Sequence, residues 1–168
     1  MRKAMGFVAA AALAFGIFAM RAGSEPASSA AFDRLKSLAG EWSATDPSGK
    51  QFSDSFRLVS NNTALEETFQ SEHDNQMVTL YTPDGSRLAL THYCSMGNQP
   101  HLQTPALSAD ASEFAFSFTS ATNLASNEDK HMQALTLKIE DNDHFTETWT
   151  LHADGKDQTE TFHFTRKK

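Results

Sequence analysis

The stretch that decides the fold runs from Met77 to Leu102 and reads MVTLYTPDGSRLALTHYCSMGNQPHL. Two runs of alternating apolar and polar residues flank Pro83-Asp84-Gly85, a tripeptide typical of tight turns. The alternation predicts two antiparallel strands joined as a hairpin. The second strand continues into a polar segment that holds the only cysteine, Cys94, close to His92 and Asn98. We therefore expect a central hairpin that also carries much of the side-chain chemistry.

The rest of the chain repeats this hairpin pattern. Ser29 and Gly40 bound a short amphipathic segment, which predicts a helix over Ala30–Ala39. Alternating runs separated by turn residues then predict strands over Glu41–Thr45, Phe52–Ser60, Thr63–Gln70, Gln76–Thr82, Arg87–Ser95, His101–Leu107, Glu113–Thr119, Met132–Glu140, His144–His152 and Asp157–Arg166. Consecutive hairpins suit a barrel or a sandwich, and closure into a barrel removes exposed sheet edges. The predicted fold is all-β: an up-and-down antiparallel β-barrel of about ten strands with one short N-terminal helix.

The N-terminus has the three parts of a secretory signal peptide. Arg2 and Lys3 precede an apolar run over residues 7–20, and small residues follow near Ala22. We assign residues 1–22 to the signal peptide, 23–29 to a linker and 30–168 to a single barrel domain. The expected location is the periplasm or the exterior of the cell, with no stable membrane insertion after cleavage.

The charge of the mature chain limits its partners. Residues 1–22 hold three of the 14 Lys and Arg and no acidic residue, so 11 basic residues remain against 21 acidic ones, a formal charge of −10. This balance disfavours nucleic acid and anionic lipid, which bind basic surfaces. The basic residues Arg166-Lys167-Lys168 are interpreted as a solvated tail. A single cysteine excludes an internal disulfide, and Cys94 is expected to be a buried, inert thiol.

Four polar residues interrupt the apolar faces of the predicted strands: Asp54, Glu67, His92 and Glu147. An unpaired carboxylate is costly to bury, so each should be paired, hydrated or close to a barrel mouth. An apolar interior with a few convergent polar groups is typical of a small-molecule site. Alternatively, these residues lie at strand ends or face solvent because a bulge changes the register.

Sequence motifs for catalysis or metal binding are missing. There is no HxH or HExxH pair and no GxSxG, so we predict no catalytic residue and no metal site. Two alternatives to a binding protein stay open. One is a hydrolase- or isomerase-type enzyme that uses His92 as general base with Glu67 or Glu147. The other is a structural barrel filled by its 13 Phe residues, with no ligand.

The segment Leu38-Ala39-Gly40-Glu41-Trp42 delivers a G-x-W motif into the first strand. With the hairpins that follow, it resembles the calycin superfamily of lipocalins, fatty-acid-binding proteins and nitrobindin-like barrels. The segments 77–81, 90–94 and 97–100 look more closely like those of a group of uncharacterised exported bacterial proteins. The resemblance covers nearly the whole mature chain. It implies a barrel that holds a fatty acid, haem or a similar apolar ligand, and a haem would take its proximal ligand from the C-terminal strands, near His152 or His163.

We therefore expect an exported β-barrel that binds a small, largely apolar molecule in its interior. The polar end of the ligand would be oriented by His92, Asn98, Gln99, Glu67 and Glu147. The cavity would be lined by Phe56, Phe69, Phe116 and Trp149. No cofactor is predicted, with haem as the alternative, and the oligomeric state is left open.

Overall fold

The computed structural model describes residues 27–71 and 75–168, and the predicted signal peptide lies outside them. One helix, α1 (Ala27–Lys36), precedes ten strands: β1 (Gly40–Thr45), β2 (Gln51–Val59), β3 (Ala64–Ser71), β4 (Met77–Asp84), β5 (Arg87–Tyr93), β6 (Gln99–Gln103), β7 (Glu113–Thr122), β8 (His131–Ile139), β9 (His144–Ala153) and β10 (Lys156–Arg166). Each strand pairs with the next along the chain, and β1 pairs with β10. The result is a closed antiparallel barrel, as predicted. No described helix has the length and apolar character to cross a membrane.

The tight turns form where the sequence places residues that tolerate positive φ. Asn61 and Asn62 have φ of 54° and 64° between β2 and β3. Asp154 and Gly155 have φ of 54° and 70° between β9 and β10, as a two-residue hairpin loop requires. Since these turns fix the register, they also decide which side chains enter the barrel.

The helix lies three residues earlier than predicted at both ends. It runs over Ala27–Lys36, and i→i+3 hydrogen bonds carry the chain through Leu38 and Ala39. Gly40 does not end the helix but begins β1, with φ of +133°. The apolar face is nevertheless the expected one, because Phe32, Leu35 and Leu38 are buried against the barrel core. The tight turns after Lys36 occupy the space that the prediction gave to a last helical turn.

The helix covers one end of the barrel, which we call the closed end. Here the indole of Trp42 donates a hydrogen bond to the carbonyl of Leu38 at 2.7 Å and meets Phe145 edge-on at 4.7 Å. The guanidinium of Arg166 lies 3.9 Å from the centre of the Trp42 ring. It also donates to the carbonyls of Ser37, Ala39 and Asn142.

The prediction of a solvated tail at Arg166 is therefore wrong. β10 ends at Arg166, as the strand prediction had it, but the side chain is not free in solvent. Its guanidinium donates to a carbonyl after the helix and stacks on the ring of Trp42. The side chain joins the last strand to the first one and to the helix.

The alternation predicted for the strands is largely confirmed by burial. Asp54, Glu67, His92 and Glu147 are all at most 2% exposed, so they face the interior and the alternative of solvent-facing side chains is wrong. Tyr93 points outward, and Cys94 is buried, with burial raising the pKa of its thiol.

Three apolar residues are less buried than the alternation along their strands predicts. Leu58 is 36% exposed near the end of β2, while Phe118 and Leu151 are half-buried. Phe118 directly precedes a β-bulge in the pairing of β6 with β7, and it packs on the ring of His131.

Candidate functional site

The polar core of the barrel is built on a row of three neighbouring strands. Glu67 on β3 pairs directly with Thr79 on β4, and Thr79 pairs directly with His92 on β5. The hydroxyl of Thr79 lies 3.0 Å from Nδ1 of His92 and also hydrogen-bonds the Glu67 carboxyl, which lowers the pKa of that carboxyl. The register of the hairpins thus places a carboxyl, a hydroxyl and an imidazole side by side inside the barrel.

Two more acidic residues join Glu67 from other strands. Asp54 on β2 and Glu147 on β9 each bring a carboxylate oxygen into a group whose members lie within 4.8 Å of one another. Tyr81 donates a hydrogen bond to Oε2 of Glu67, and the Trp149 indole donates to Oε2 of Glu147 at 3.3 Å. Both oxygens of Asp54, Oε1 of Glu67 and Oε1 of Glu147 have no hydrogen-bond partner within the described chain. We call Asp54, Glu67 and Glu147 the acid trio.

Burial controls the protonation of this core. It raises the pKa of Glu67 to about 7, and it raises the pKa values of Asp54 and Glu147 well above the usual range, with a further contribution from the charge of Glu67. Burial also lowers the pKa of His92 to about 4. At neutral pH the imidazole is therefore uncharged, and no buried Lys or Arg occurs in the described chain to balance the acids.

The acid trio can accept protons or a cation. Its unpartnered carboxylate oxygens are the donors that hard divalent cations prefer. Protonation also relieves the free-energy cost of burying charged carboxylates, because a neutral carboxyl both donates and accepts hydrogen bonds. The raised pKa values of the three carboxyls favour protonation.

A small inner cavity adjoins this polar core. It has a volume of about 90 Å³ and is lined by Glu67, Phe69, Met77, His92, Met132, Trp149, Glu160 and Phe162. The ring of His92 packs 4.7 Å from that of Trp149. Nε2 of His92 has no hydrogen-bond partner within residues 27–71 and 75–168. The cavity therefore combines aromatic and thioether walls with two carboxyls and one imidazole.

The inner cavity adjoins a wider outer pocket at the end of the barrel opposite α1. The outer pocket has a volume of about 310 Å³ and shares Met132, Trp149 and Glu160 with the inner cavity, adding Leu151, Gln158 and Thr159. Glu160 is exposed although its register partner Trp149 is buried. We call this the open end, and it is also where β9 turns into β10 through Asp154 and Gly155.

Four of the nine predicted ligand-binding residues line the inner cavity: Glu67, Phe69, His92 and Trp149. Glu147 does not line the cavity, but its carboxylate accepts a hydrogen bond from the indole of Trp149, which does. Phe56 and Phe116 pack on Tyr81 in the filled part of the core, away from the cavity lining.

The two loop residues of the predicted site lie elsewhere. Asn98 is buried, but its amide donates to the carbonyl of Lys130 at 2.7 Å and so ties two loops together. Gln99 alternates with the buried Pro100 and Leu102 and points outward, where it bonds Gly97 and Asn123. Neither residue lines the inner cavity.

The sequence prediction missed the other members of the cavity. Met132 enters because a β-bulge in β8, between Met132 and Ala134, reverses the alternation set by Leu135 and Leu137. Glu160 and Phe162 have the parity of Phe164, so alternation along β10 could have found both. Met77 likewise has the parity of Thr79 and Tyr81. For Met132 the chain carries no comparable signal.

The residues present do not fit a haem. The inner cavity is well below the 300–1,000 Å³ usual for ligand pockets. His152 is bonded through Nδ1 to Asp157, and His163 is exposed on the outer surface beside Thr146. Neither His152 nor His163 lines the inner cavity.

Comparison with solved structures finds a similar barrel. The crystal structure of Rv2717c from M. tuberculosis matches with a TM-score of 0.56 and 15% sequence identity, covering 82% of this chain and 98% of that chain. At this identity the match concerns the fold alone. No protein-family model matches the sequence, and no curated protein matches it either.

Proposed function

We propose that this protein is an exported, calycin-like β-barrel that binds a small, largely apolar ligand through its open end. The observation that carries the proposal is the inner cavity, which is lined by Phe69, Trp149 and Phe162 together with Glu67 and His92. Glu67 and His92 each have one polar atom without a partner in the described chain. An apolar wall with a few convergent polar groups is the usual composition of a small-molecule site. The ligand's apolar part would contact the rings, and its polar end would face Glu67 and His92.

The size of the two spaces limits the ligand. About 90 Å³ admits a compact group of a few atoms, while the adjoining 310 Å³ admits the remainder. Together they reach the lower part of the range for small-molecule pockets. A compact molecule suits this funnel better than a long acyl chain.

Two observations support the calycin-like assignment and export. The G-x-W tryptophan, Trp42, is covered by the guanidinium of Arg166 where the barrel closes on the helix. Export is supported by the basic and then apolar residues of the N-terminus. The periplasm or the cell exterior is the proposed location.

Native mass spectrometry of the protein purified from its own host tests the binding proposal. We expect an added mass that disappears on denaturation. Met132→Trp should abolish it, because the larger side chain fills the passage between the outer pocket and the inner cavity. Leu58→Trp is the matched control, since Leu58 lies on β2, near the closed end. An added mass that survives Met132→Trp, or none in the wild type, would contradict the proposal.

One observation also supports the alternative that this protein is an enzyme. Glu67 has a pKa of about 7, near the value that suits a general base at neutral pH, whereas His92 with a pKa of about 4 is a weak base. An enzyme built on this site would therefore use Glu67 as base and His92 as a hydrogen-bonding group. Loss of turnover in Glu67→Gln with retained thermal stability would support it, and retained turnover would exclude it.

A further inference from the structure

The inner cavity presents acidic and accepting groups to a ligand. Glu67 and Glu160 contribute carboxyls, and no Lys or Arg is found among the described residues that line the cavity or the outer pocket. His92 is neutral because burial lowers its pKa to about 4. A ligand with a carboxylate or phosphate would therefore meet like charge, and no cationic side chain among the described lining residues would balance it.

The hydrogen-bond row fixes what His92 offers. Above its pKa of about 7, Glu67 is ionised and only accepts hydrogen bonds, so the Thr79 hydroxyl gives its single proton to Glu67 and accepts one from Nδ1–H of His92. The neutral ring then carries a lone pair on Nε2, the atom without a partner in the described chain. The polar part of the inner cavity thus contains acceptors: Nε2 of His92 and the oxygens of Glu67 and Glu160.

The remaining walls are those that attract a cation. Phe69, Trp149 and Phe162 contribute aromatic rings, and Met77 and Met132 contribute polarizable thioethers. Several ring faces around a small space bind quaternary ammonium groups through cation–π attraction, which strengthens when the cation is desolvated. Carboxylates beside the rings add a charge of the opposite sign.

We infer that the ligand of this cavity carries a small organic ammonium group, enclosed by the rings of Phe69, Trp149 and Phe162 and balanced by Glu67 and Glu160. This inference rests on the proposed function and adds the chemical class of the ligand. The ammonium head occupies the inner cavity, and the rest of the molecule extends into the outer pocket. The net charge of −10 on the mature chain increases the local concentration of cations at the surface.

Three compounds of the same shape test the inference by isothermal titration calorimetry at low salt. Choline has a trimethylammonium head, 3,3-dimethyl-1-butanol replaces that head with a neutral tert-butyl group, and 3,3-dimethylbutanoate carries a negative charge. We expect choline to bind at least about tenfold more tightly than the alcohol, and the anion not to bind. Equal or tighter binding of the alcohol or the anion would overturn the ammonium inference and leave the binding proposal intact. No binding by any of the three would also overturn it, and the binding proposal would then depend on the native mass spectrum.

Variants of the two carboxyls locate the effect. Glu160→Gln should weaken choline binding severalfold without affecting the fold, because Glu160 is exposed at the open end. Glu113→Gln, an exposed change at the start of β7, should leave the affinity unchanged. An unchanged affinity in Glu160→Gln would contradict the proposed position of the ammonium.

A pH series adds a second readout. Choline affinity should fall from pH 8 to pH 5.5 as Glu67 takes up a proton, and Glu67→Gln should lose most of this dependence. The titratable groups that face Glu67 or line the same cavity are Asp54 on β2, Tyr81 on β4, His92 on β5, Glu147 on β9 and Glu160 on β10. A pH dependence that is the same in Glu67→Gln and in the wild type would contradict the role given to Glu67.

Discussion

The two ends of this barrel differ in how closely the side chains around their tryptophans are packed. At the closed end, Trp42 makes its hydrogen bond to Leu38, packs on Phe145 and is covered by Arg166. At the open end, Trp149 borders the inner cavity and donates to Glu147, whose other carboxylate oxygen has no partner in the described chain. Trp42 is packed on all sides in the core, whereas Trp149 has empty space beside it. The difference agrees with the proposed function, in which the helix-covered end stabilises the barrel and the open end admits the ligand.

Arg166 and the acid trio differ in how completely their polar atoms are hydrogen-bonded. The closed end satisfies its guanidinium with three backbone carbonyls. The trio leaves four carboxylate oxygens unpartnered in the described chain, and each buried, unpartnered group opposes folding. Asp54 is the register partner of Trp42 on β1, so the trio extends from the closed-end tryptophan toward the inner cavity that Glu67 lines. Unsatisfied buried groups call for an explanation, and the proposed function supplies one.

The largest expected effect is at the closed end. Trp42→Ala should lower the free energy of unfolding by about 3–5 kcal/mol, because it removes a fully buried indole and leaves Arg166 without its stacking partner. Urea unfolding at pH 7 measures it. Trp149→Ala should cost less, since that side chain already borders a cavity. Equal costs would remove the contrast between the two ends.

The next effect depends on pH and belongs to the open end. Burial raises the pKa of Glu67 from 4.5 to about 7, so the native state holds its proton more tightly than the unfolded state. The stabilisation is fully present below pH 4.5 and is lost as the pH rises through about 7, which amounts to about 3 kcal/mol.

Glu67→Gln should therefore gain stability relative to the wild type as the pH is raised from 4 to 9. Urea unfolding at several pH values gives the difference, from which the opposite contribution of His92 cancels because both proteins contain it. Glu113→Gln should show no such trend. If the difference in the free energy of unfolding between Glu67→Gln and the wild type did not change with pH, the pKa of Glu67 would not be raised in the native state.

The third effect tests how closely the last strand packs on the first. Gly40→Ala should destabilise the protein by about 1–3 kcal/mol, since φ is +133° and the new Cβ would lie 2.7 Å from Nη1 of Arg166. That nitrogen is held by the carbonyl of Ala39, so it cannot move without losing a hydrogen bond. Gly49→Ala has open space and a φ of +89°, which makes it the control for backbone strain alone. An equal cost at both positions would show that the contact with Arg166 adds nothing.

The smallest expected effect is the response to hemin. Because the inner cavity has a volume of only about 90 Å³, adding hemin should produce no Soret band beyond that of free hemin. A shifted Soret band that is lost in His92→Ala would show that the open end rearranges to hold a macrocycle.

The sequence predicts the barrel well because turns and alternation are local signals. The ten strands lie within a few residues of the predicted ranges, and Asp54, Glu67, His92 and Glu147 all face inward. The site is predicted only in part, since cavities depend on contacts between distant strands. The bulge that brings in Met132 interrupts the alternation without a marker residue.

At the loop and at the C-terminus, residue type alone did not indicate the contacts that the structure shows. Asn98 and Gln99 follow His92 closely in sequence, but Asn98 ties loops together and Gln99 faces outward. Arg166 looked like a tail residue because its partners, Trp42 and the carbonyls after α1, are more than 100 positions away. These contacts follow from the pairing of β1 with β10 and of β5 with β6, which the sequence does not specify.

The measurement that tests the central claim most directly uses the two tryptophans of the chain as reporters. A ¹H–¹⁵N spectrum should show two indole N–H signals, which Trp149→Phe assigns. Titration with choline or 3,3-dimethyl-1-butanol should move the Trp149 signal, because this indole borders the inner cavity and bonds Glu147, and leave that of Trp42 in place. A shift of the Trp42 signal instead, or no shift of either signal at saturating ligand, would contradict a binding site at the open end.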